Sequence, residues 1–331
     1  MRPPSSPEPL RFGLLGCADI AWRRVLPAMR ADDSVRLVAV ASRDPAKATR
    51  FAERFGAEAV VGYDALLERP DIDAVYLPLP PSLHRLWTAR ALAAGRHVLV
   101  EKPLTMRARH TAALYESAAA LGLVLRENVM FVHHAQHSVV RTLVDGGAIG
   151  QVRSFSSTFA IPPRPSDDIR YEARLGGGAL YDIAVYPIRA AMLLLRDPLS
   201  VVGAVLRLDR ARRVVLSGSV LLRTPTGVAA RLEFGMEHTY RTEYRLVGSA
   251  GRLTLDRAFS PPADHRPVVR IDRGGRIEEV TLAPDDQVAN TIRAFRAAVL
   301  DGAARGGPVD AAVTQARLID EVRARAEIVP V

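Results

Sequence analysis

Two side chains that can exchange a proton lie in different halves of the chain, and the first is a lysine. Lys102 is one of only two lysines, the other being Lys47, among 45 lysine and arginine residues. Because an ammonium can lose its proton in a protein and a guanidinium cannot, a lysine kept in such an arginine-rich chain indicates a site that needs a compact, titratable amine. A solvated lysine at the rim of a fold is the alternative.

The second side chain is a tyrosine that follows a run of glycines. Gly176–Gly178 precede a predicted helix that contains Asp182 and Tyr186. Residues four positions apart lie on the same face of a helix, so the carboxylate and the phenol are predicted to share one face. A tyrosine that packs at the edge of the core would show the same pattern.

The segment Phe12–Ala21 leads from a predicted strand into a predicted helix, which is the setting of a dinucleotide-binding turn. Its pattern is Gly-x-Ala-x-x-Ala, in which the glycine permits a tight turn and the alanines permit close approach of the backbone. Pyrophosphate would meet amide groups at the helix N-terminus, although a plain strand-to-helix turn fits the same pattern. The predicted contact residues are Gly16, Cys17, Ala18, Asp19, Ile20 and Ala21.

The end of the second predicted strand favours NADP(H) over NAD. A site for NAD usually places an acid there to bind the ribose 2′-hydroxyl, whereas this chain has Ser42 and Arg43 first, with Lys47 one turn into the next helix. A hydroxyl and cations suit a 2′-phosphate. Asp44, before Pro45, is predicted to cap the helix instead.

Two further segments follow predicted strands directly and belong to the ligand-facing rim of a parallel sheet. They are Leu77–His84 and Glu101–Pro103, and the second contains Lys102. The remaining predicted cofactor contacts are Tyr63, Leu79, His84, Lys102 and Arg170.

Two kinds of sheet must position these residues. Between residues 10 and 126, short apolar runs alternate with helical stretches, which predicts a parallel sheet covered by helices. From Val152 onward, long alternating segments favour an antiparallel sheet, with a hairpin at Gly248–Gly251. A chain of 331 residues exceeds the usual size of a single core, so we predict two domains, 1–127 and 128–331.

The predicted elements have definite bounds. In the first half the strands are 11–16, 36–41, 59–61, 74–79, 97–100 and 124–126, and the helices are 20–31, 45–55, 83–94 and 108–121. In the second half the strands are 152–161, 200–208, 214–223, 228–235 and 242–247, and the helices are 136–145, 286–301 and 311–325.

Composition excludes several classes of protein. With 48% hydrophobic and 24% charged residues the chain is neither collagen-like nor wholly disordered. The single cysteine, Cys17, excludes an internal disulfide and fits a reducing cytoplasm. A net charge of +9 raises the question of nucleic acid, but the basic residues are dispersed and clusters such as Arg210–Arg213 lack interleaved aromatics. We therefore expect no nucleic-acid partner.

The chain shows no other constellation that points to chemistry. Of His133, His134 and His137, only the first and last would share a helical face, and two imidazoles without a well-spaced carboxylate are too few for a metal site. We therefore expect no metal and predict capping or packing roles for these histidines. Met1–Pro9 is a proline- and serine-rich tail without the apolar segment of a signal peptide. No apolar run is long enough to predict a membrane span, and no Gly-x-Ser-x-Gly elbow is present.

Taken together, the motifs resemble the glucose-fructose oxidoreductase/inositol dehydrogenase (Gfo/Idh/MocA) family over nearly the whole chain. Within it, the chain is similar to the NADPH-dependent nucleotide-sugar 3-ketoreductases, and one supporting feature is Tyr186, at a position where many family members carry histidine. The segments that carry the likeness are Gly13–Ala21, Leu77–His84, Glu101–Pro103, Asn128–Phe131, His133–His137, Arg170–Tyr171 and Gly176–Tyr186.

The resemblance implies an α/β protein, with an N-terminal Rossmann domain and a C-terminal α+β domain that has an open-faced, mainly antiparallel sheet. The implied reaction is NADPH-dependent reduction of the C3 ketone of a dTDP-linked 3,4-diketo-2,6-dideoxyhexose in deoxysugar and antibiotic biosynthesis. The family's lysine corresponds to Lys102, its acid/base position to Tyr186 and its nearby acid to Asp182. Tyr240 and Arg170 are further candidate contacts to the nucleotide sugar. A homo-oligomer, dimer or tetramer, is also implied.

The mechanism expected from this resemblance follows from the negative charge that hydride transfer creates on the substrate. Hydride arriving at a carbonyl carbon produces an alkoxide, which needs a proton or a fixed positive charge. We expect Tyr186 to donate the proton to the alkoxide oxygen. We expect Lys102 to orient the phenol and to stabilise the negative charge, although the two roles could be exchanged. An NADP-dependent sugar or polyol dehydrogenase and a non-catalytic NADP(H)-binding sensor are the alternatives.

Overall fold

The computed structural model describes residues 8–301 and 309–331, which form two compact units. The first contains most of the residues up to Asn128, and the second contains Val129–Gln287 and the end of the chain from Ala311. The predicted tail Met1–Pro9 lies outside the described residues apart from Glu8 and Pro9.

The first unit is built around a parallel sheet, as the alternation of short apolar runs predicts. Within the described residues this sheet has six strands in the order β3-β2-β1-β4-β5-β6, and every neighbouring pair is parallel. The order reverses direction beside β1, which creates the crevice where open α/β sheets bind ligands. The strands are β1 Leu10–Leu15, β2 Val35–Ser42, β3 Glu58–Val61, β4 Ala74–Leu77, β5 His97–Glu101 and β6 Leu125–Asn128.

Helices connect these strands. Those predicted at 45–55, 83–94 and 108–121 lie within two residues of their predicted bounds, whereas the short helix Tyr63–Leu67 has no predicted counterpart. The helices are α1 Leu26–Arg30, α2 Pro45–Phe55, α3 Tyr63–Leu67, α4 Pro81–Ala93 and α5 Ala108–Ala120. The predicted helix 20–31 is not uniform: Ala21–Val25 forms a π-helical turn before α1. Pro27 lacks the N–H that a regular helix would use at that point, and the wider turn precedes it.

The second unit is built around a mixed sheet that is mainly antiparallel, which confirms the predicted fold class. In the described part of the chain it has nine strands in the order β14-β13-β12-β11-β7-β10-β9-β8-β15. Only the pairs β7 with β10 and β8 with β15 are parallel among those described. The strands are β7 Val152–Ile161, β8 Ser200–Asp209, β9 Val214–Arg223, β10 Ala229–Met236, β11 Arg241–Gly248, β12 Arg252–Asp256, β13 Val268–Arg273, β14 Arg276–Thr281 and β15 Ala326–Pro330.

Helices of the second unit cover one face of this sheet and bury its core. They are α6 Ala135–Asp145, α7 Ala179–Asp182, α8 Val185–Leu195 and α10 Val309–Arg325, and α9 Gln287–Leu300, which precedes α10 in the chain, belongs to the first unit from Val288 onward. The helical stretch Ala173–Leu195 is long and apolar enough to cross a membrane, with a mean hydropathy of 1.4 over a window of 18 residues, but 72% of that window is buried within the protein. Such burial is that of a core helix.

Helix α9 departs from the predicted division of the chain. The sequence assigns everything after residue 127 to the second domain, whereas the structure places α9 from Val288 onward in the first unit. The ring of Phe295 packs against Phe12 of β1 at 5.7 Å between centroids, and Arg296 Nε donates to Ser34 O at 2.9 Å. The helix returns because its apolar face completes the core beneath the first sheet.

Candidate functional site

The predicted dinucleotide turn is built around one glycine. Gly16 has φ +112°, and a Cβ there would lie 2.5 Å from Leu79 Cδ2. The amide of Gly16 donates to Ala41 O at 3.0 Å, so the turn joins the carboxyl ends of β1 and β2. A side chain at position 16 would meet both backbone strain and Leu79, which gives a physical reason for glycine there.

The carboxyl end of β2 presents cations, as predicted. Arg43 and Lys47 are exposed, and Ser42 is buried with its hydroxyl accepting from Asp44 N at 3.1 Å. Asp44 caps α2, because its Oδ1 accepts from Ala46 N at 2.9 Å and Lys47 N at 3.3 Å. The only carboxylate in this segment is therefore engaged by the helix end and is poorly placed to bind a ribose hydroxyl.

Cys17 lies between the turn and α2. Its Sγ donates to Lys47 O at 3.6 Å, and burial raises the pKa of the thiol to about 11. At neutral pH the group is a neutral thiol, so its contribution to the site is packing and shape.

The prediction that His84 contacts the cofactor needs correction. The residue has no exposed surface, and its two ring nitrogens lie 2.8 Å from Pro103 O and 2.6 Å from Leu79 O. Burial lowers the pKa of His84, and the charge of Lys102 acts in the same direction. Both ring nitrogens face backbone carbonyls, so neither is directed at a ligand, and the single N–H of the neutral imidazole can donate to one of the two rim segments that follow β4 and β5.

Lys102 lies beside a buried carboxyl network that the sequence motifs did not reveal. Glu101 Oε1 accepts from Tyr76 OH at 2.8 Å and from Asn128 Nδ2 at 2.6 Å. Burial raises the pKa of Glu101, while the neighbouring charge of Lys102 opposes that rise. The three partners come from the carboxyl ends of β4, β5 and β6 and anchor the segment that carries the lysine. A polar residue at the end of each of three consecutive strands was the available signal.

Tyr63, another predicted cofactor contact, is buried at the start of α3. Its ring packs edge-on against Trp87 at 4.9 Å between centroids. This contact joins α3 to α4, so packing accounts for the tyrosine in the structure.

In the second unit, the glycine run wraps around the residue that binds Asp182. Gly178 N donates to Arg170 O at 2.8 Å, and a Cβ on Gly177 would lie 2.5 Å from the same oxygen. Arg170 Nε donates to Asp182 Oδ2 at 2.7 Å, and its Nη1 lies 3.1 Å from Asp168 Oδ1. Two carboxylates thus hold the guanidinium, and Arg170 in turn orients Asp182. The side chain is only partly buried, and its contact with the cofactor stays a prediction.

Tyr186 lies in the first turn of α8, four residues after Asp182 at the end of α7, so the single helix predicted to carry both is interrupted at residues 183–184. The tyrosine is partly buried among phenylalanine rings. The ring centroids of Phe159, Phe259 and Phe131 lie 4.7, 5.7 and 5.9 Å from that of Tyr186. Phe159 meets the tyrosine edge-on, with an interplanar angle of 90°. These three rings are functional candidates that spacing in the sequence did not indicate, because they come from distant segments.

Tyr240, a predicted substrate contact, is exposed and lies near the same group. Its hydroxyl is 2.9 Å from Ser260 Oγ, and Ser260 follows the phenylalanine that contacts Tyr186. Asp182, Tyr186 and Tyr240 are therefore all linked to one region of the second unit.

His134 and His137, which follow β6, have the capping and packing roles that the sequence predicts. His134 Nδ1 accepts from Gln136 N at 3.2 Å and caps α6. His137 is buried, with Nε2 3.0 Å from Ala258 O and Nδ1 3.0 Å from Tyr244 OH. Protein groups satisfy both of its ring nitrogens.

Comparison with known proteins identifies related chains over almost the full length. The model of an oxidoreductase family with an NAD-binding Rossmann fold, GFO_IDH_MocA, matches residues 10–129, and the model of the GFO/IDH/MocA C-terminal domain matches residues 137–254. The dTDP-3,4-didehydro-2,6-dideoxy-alpha-D-glucose 3-reductase of Streptomyces violaceoruber is 56% identical, with 97% of each chain covered. The protein of the same name from Streptomyces antibioticus is 54% identical over 97% of this chain and 99% of its own.

A solved structure is similarly close. KijD10, a 3-ketoreductase from Actinomadura kijaniata in complex with NADP and TDP-benzene, superposes with a TM-score of 0.96. It is 52% identical, and the match covers 98% of this chain and 99% of that chain.

Proposed function

Because this chain belongs to the Gfo/Idh/MocA oxidoreductase family, we propose that it reduces the C3 ketone of a dTDP-linked 3,4-diketo-2,6-dideoxyhexose with NADPH. The observation that carries the proposal is the full-length likeness to 3-ketoreductases, together with Lys102 and Tyr186 in the two halves of the chain. The nucleotide sugar is the substrate class, and the product is a precursor in deoxysugar and antibiotic biosynthesis.

The residues of the first unit suit NADP(H). Backbone amides from Gly16 to Ala21 would bind the pyrophosphate, and Arg43 and Lys47 would bind the 2′-phosphate beside the buried Ser42 hydroxyl. The position of these groups at the carboxyl ends of β1 and β2, beside the switch in strand order, supports this assignment. When bound, NADPH supplies hydride to the ketone carbon.

Side chains of the protein supply the proton and stabilise the developing negative charge. As hydride reaches C3, negative charge develops on the C3 oxygen, and a phenol O–H within hydrogen-bond reach can protonate it. We assign this donation to Tyr186, and we assign to Lys102 the stabilisation of the developing charge and the orientation of the phenol. Asp182, held by Arg170, and the exposed Tyr240 are proposed to bind the nucleotide sugar.

The test is a pair of assays on the purified protein. We expect loss of NADPH absorbance with the dTDP-linked diketosugar and a new C3 hydroxyl in the product by NMR. Turnover only with free sugars or polyols and NADP⁺ would instead make the protein a dehydrogenase of the same family. Binding of NADPH without turnover on either substrate would make it a sensor.

We also propose a cytoplasmic homo-oligomer, a dimer or a tetramer. Val205, Leu221 and Val247 are exposed on the face of the second sheet opposite the buried Leu206, Leu222 and Leu246, so this face has apolar surface that self-association would bury. Light scattering coupled to gel filtration measures the oligomer, and Leu221→Arg should shift it toward monomer.

A further inference from the structure

The three phenylalanines around Tyr186 form one packed unit, which we call the aromatic cradle and define as Phe131, Phe159 and Phe259. Besides contacting the tyrosine, Phe131 and Phe259 lie 5.0 Å apart and Phe159 and Phe259 lie 5.5 Å apart between ring centroids. All three are buried. The tyrosine ring therefore borders a mutually supporting group rather than isolated side chains.

The backbone that carries Phe259 follows β12 and is held by several polar side chains. Phe259 N donates to Thr242 Oγ1 at 3.1 Å, and Phe259 O accepts from Gln287 Nε2 at 3.1 Å. The preceding carbonyl, Ala258 O, accepts from Gln136 Nε2 at 3.0 Å. This many bonds on two consecutive residues fix the position of the phenylalanine although it lies outside a strand.

His137 connects this backbone to a second ring of the cradle. Ala258 O, which can only accept, lies 3.0 Å from Nε2, so Nε2 carries the hydrogen and Nδ1 accepts from Tyr244 OH. The imidazole also meets Phe131 edge-on at 5.2 Å between centroids. Burial lowers the pKa of His137 to about 3, so this neutral tautomer persists across the physiological range.

We propose that the aromatic cradle holds the Tyr186 ring in the orientation that proton transfer requires, and that His137 supports the cradle by fixing the backbone at Ala258. These four are positioning residues, since they act through Tyr186. The inference rests on the proposed function, because proton donation by Tyr186 is part of that proposal. Proton transfer depends on hydrogen-bond geometry, and a small misplacement of the donor slows a reaction far more than it weakens binding.

A double-mutant cycle with Tyr186→Phe tests the cradle. We expect Phe159→Leu and Phe259→Leu each to lower kcat roughly ten- to hundredfold, with KM for the nucleotide sugar and Kd for NADPH nearly unchanged. In the Tyr186→Phe background the same substitutions should change kcat by less than about twofold, because the group on which they act is gone. In the enzyme that retains Tyr186, Phe159→Leu and Phe259→Leu should also shift the pH profile of kcat, whereas a purely structural role would leave that profile unchanged.

Phe155→Leu is the matched control. Phe155 is a buried phenylalanine of the same strand as Phe159, and its nearest ring partner is Tyr244 at 6.1 Å. The Phe155→Leu variant should lower the midpoint of thermal unfolding like the cradle variants but leave kcat close to that of the parent. Equal losses of kcat in the two Tyr186 backgrounds, or an equal loss from Phe155→Leu, would overturn the inference.

A pair of substitutions at His137 tests the support. His137→Gln keeps an amide that can donate to Ala258 O, whereas His137→Leu removes the donor, so we expect the glutamine variant to retain most of kcat and the leucine variant to behave like Phe259→Leu. Equal kcat in the two folded variants would remove His137 from the inference. A parent enzyme that fails to reduce the diketosugar would refute the proposed function instead, which separates the two failures.

Discussion

Two lysines in one unit offer a direct comparison of catalysis with cofactor binding. Lys102 lies at the end of β5 beside Glu101, and Lys47 lies in α2 near the end of β2. In the proposed function they have different roles, Lys102 at the substrate carbonyl and Lys47 at the 2′-phosphate of NADPH.

Lys102→Met should lower kcat by roughly 10²-fold or more, because it removes a fixed positive charge at the developing alkoxide. Affinity for NADPH, measured by fluorescence titration, should change by only a few-fold. Lys47→Met is the control and should weaken NADPH binding with kcat retained at saturation. A Lys102 variant that loses NADPH affinity as much as turnover would identify the lysine as a cofactor clamp.

Arg43→Ala should lower the preference for NADPH over NADH. A charge-assisted hydrogen bond is worth about 1.5–3 kcal/mol, so we expect KM for NADPH to rise roughly ten- to hundredfold while KM for NADH stays constant. Steady-state kinetics with both cofactors measure the effect. The KM of Arg43→Lys for NADPH should lie between those of the parent and of Arg43→Ala. An unchanged preference would show that the 2′-phosphate is bound elsewhere.

Helix α2 depends on its first residue for both stability and the shape of the rim. Asp44 is the capping residue that the sequence predicts, and Gly56 with φ +69° ends the helix in the left-handed conformation. The matching of Pro45–Phe55 to its predicted bounds reflects these signals, because both lie within a few residues of the helix that they delimit.

Asp44→Ala should destabilise the protein by about 1 kcal/mol, the usual value of an N-cap. Asp44→Asn should retain most of the stability, because the amide oxygen can still accept from the first helical amides. Chemical denaturation measures both. An alanine variant as stable as the parent would show that the carboxylate bonds at Ala46 and Lys47 contribute nothing net.

The protein as a whole should lose stability as the pH falls below the ordinary pKa of histidine. Burial lowers the pKa of His84, His97, His134 and His137 below the usual 6.5. Between those lowered values and 6.5 the unfolded chain binds protons that the folded chain does not, so the free energy of unfolding decreases with decreasing pH.

Denaturation curves between pH 8 and about pH 5 should show this decline below pH 6.5, at up to about 1.4 kcal/mol per pH unit for each histidine. His137→Gln should reduce the slope of the free energy of unfolding against pH by the contribution of one histidine, whatever its effect on stability at pH 8. An unaltered slope would mean that His137 is protonated in the folded protein.

Local signals accounted for most of the elements and for the residues at the rim of the first sheet. Apolar periodicity, Asp44, and the glycine after β1 each act within a few residues, so the sequence was sufficient to predict the parallel sheet, the turn at Gly16 and the cations after β2. The antiparallel sheet was predicted from the alternation of apolar and polar residues. The short, charged strands β13 and β14 show too little alternation to be recognised.

Only tertiary structure decided which side chains are already engaged. His84 bonds to a carbonyl 19 residues away and Arg170 to a carboxylate 12 residues away, and the cradle around Tyr186 comes from segments far apart in the chain. Such partners depend on strand register and helix packing, which bring distant residues together without leaving a periodic mark in the sequence. Residue type and spacing identified the groups that can do chemistry, whereas packing determined what holds them.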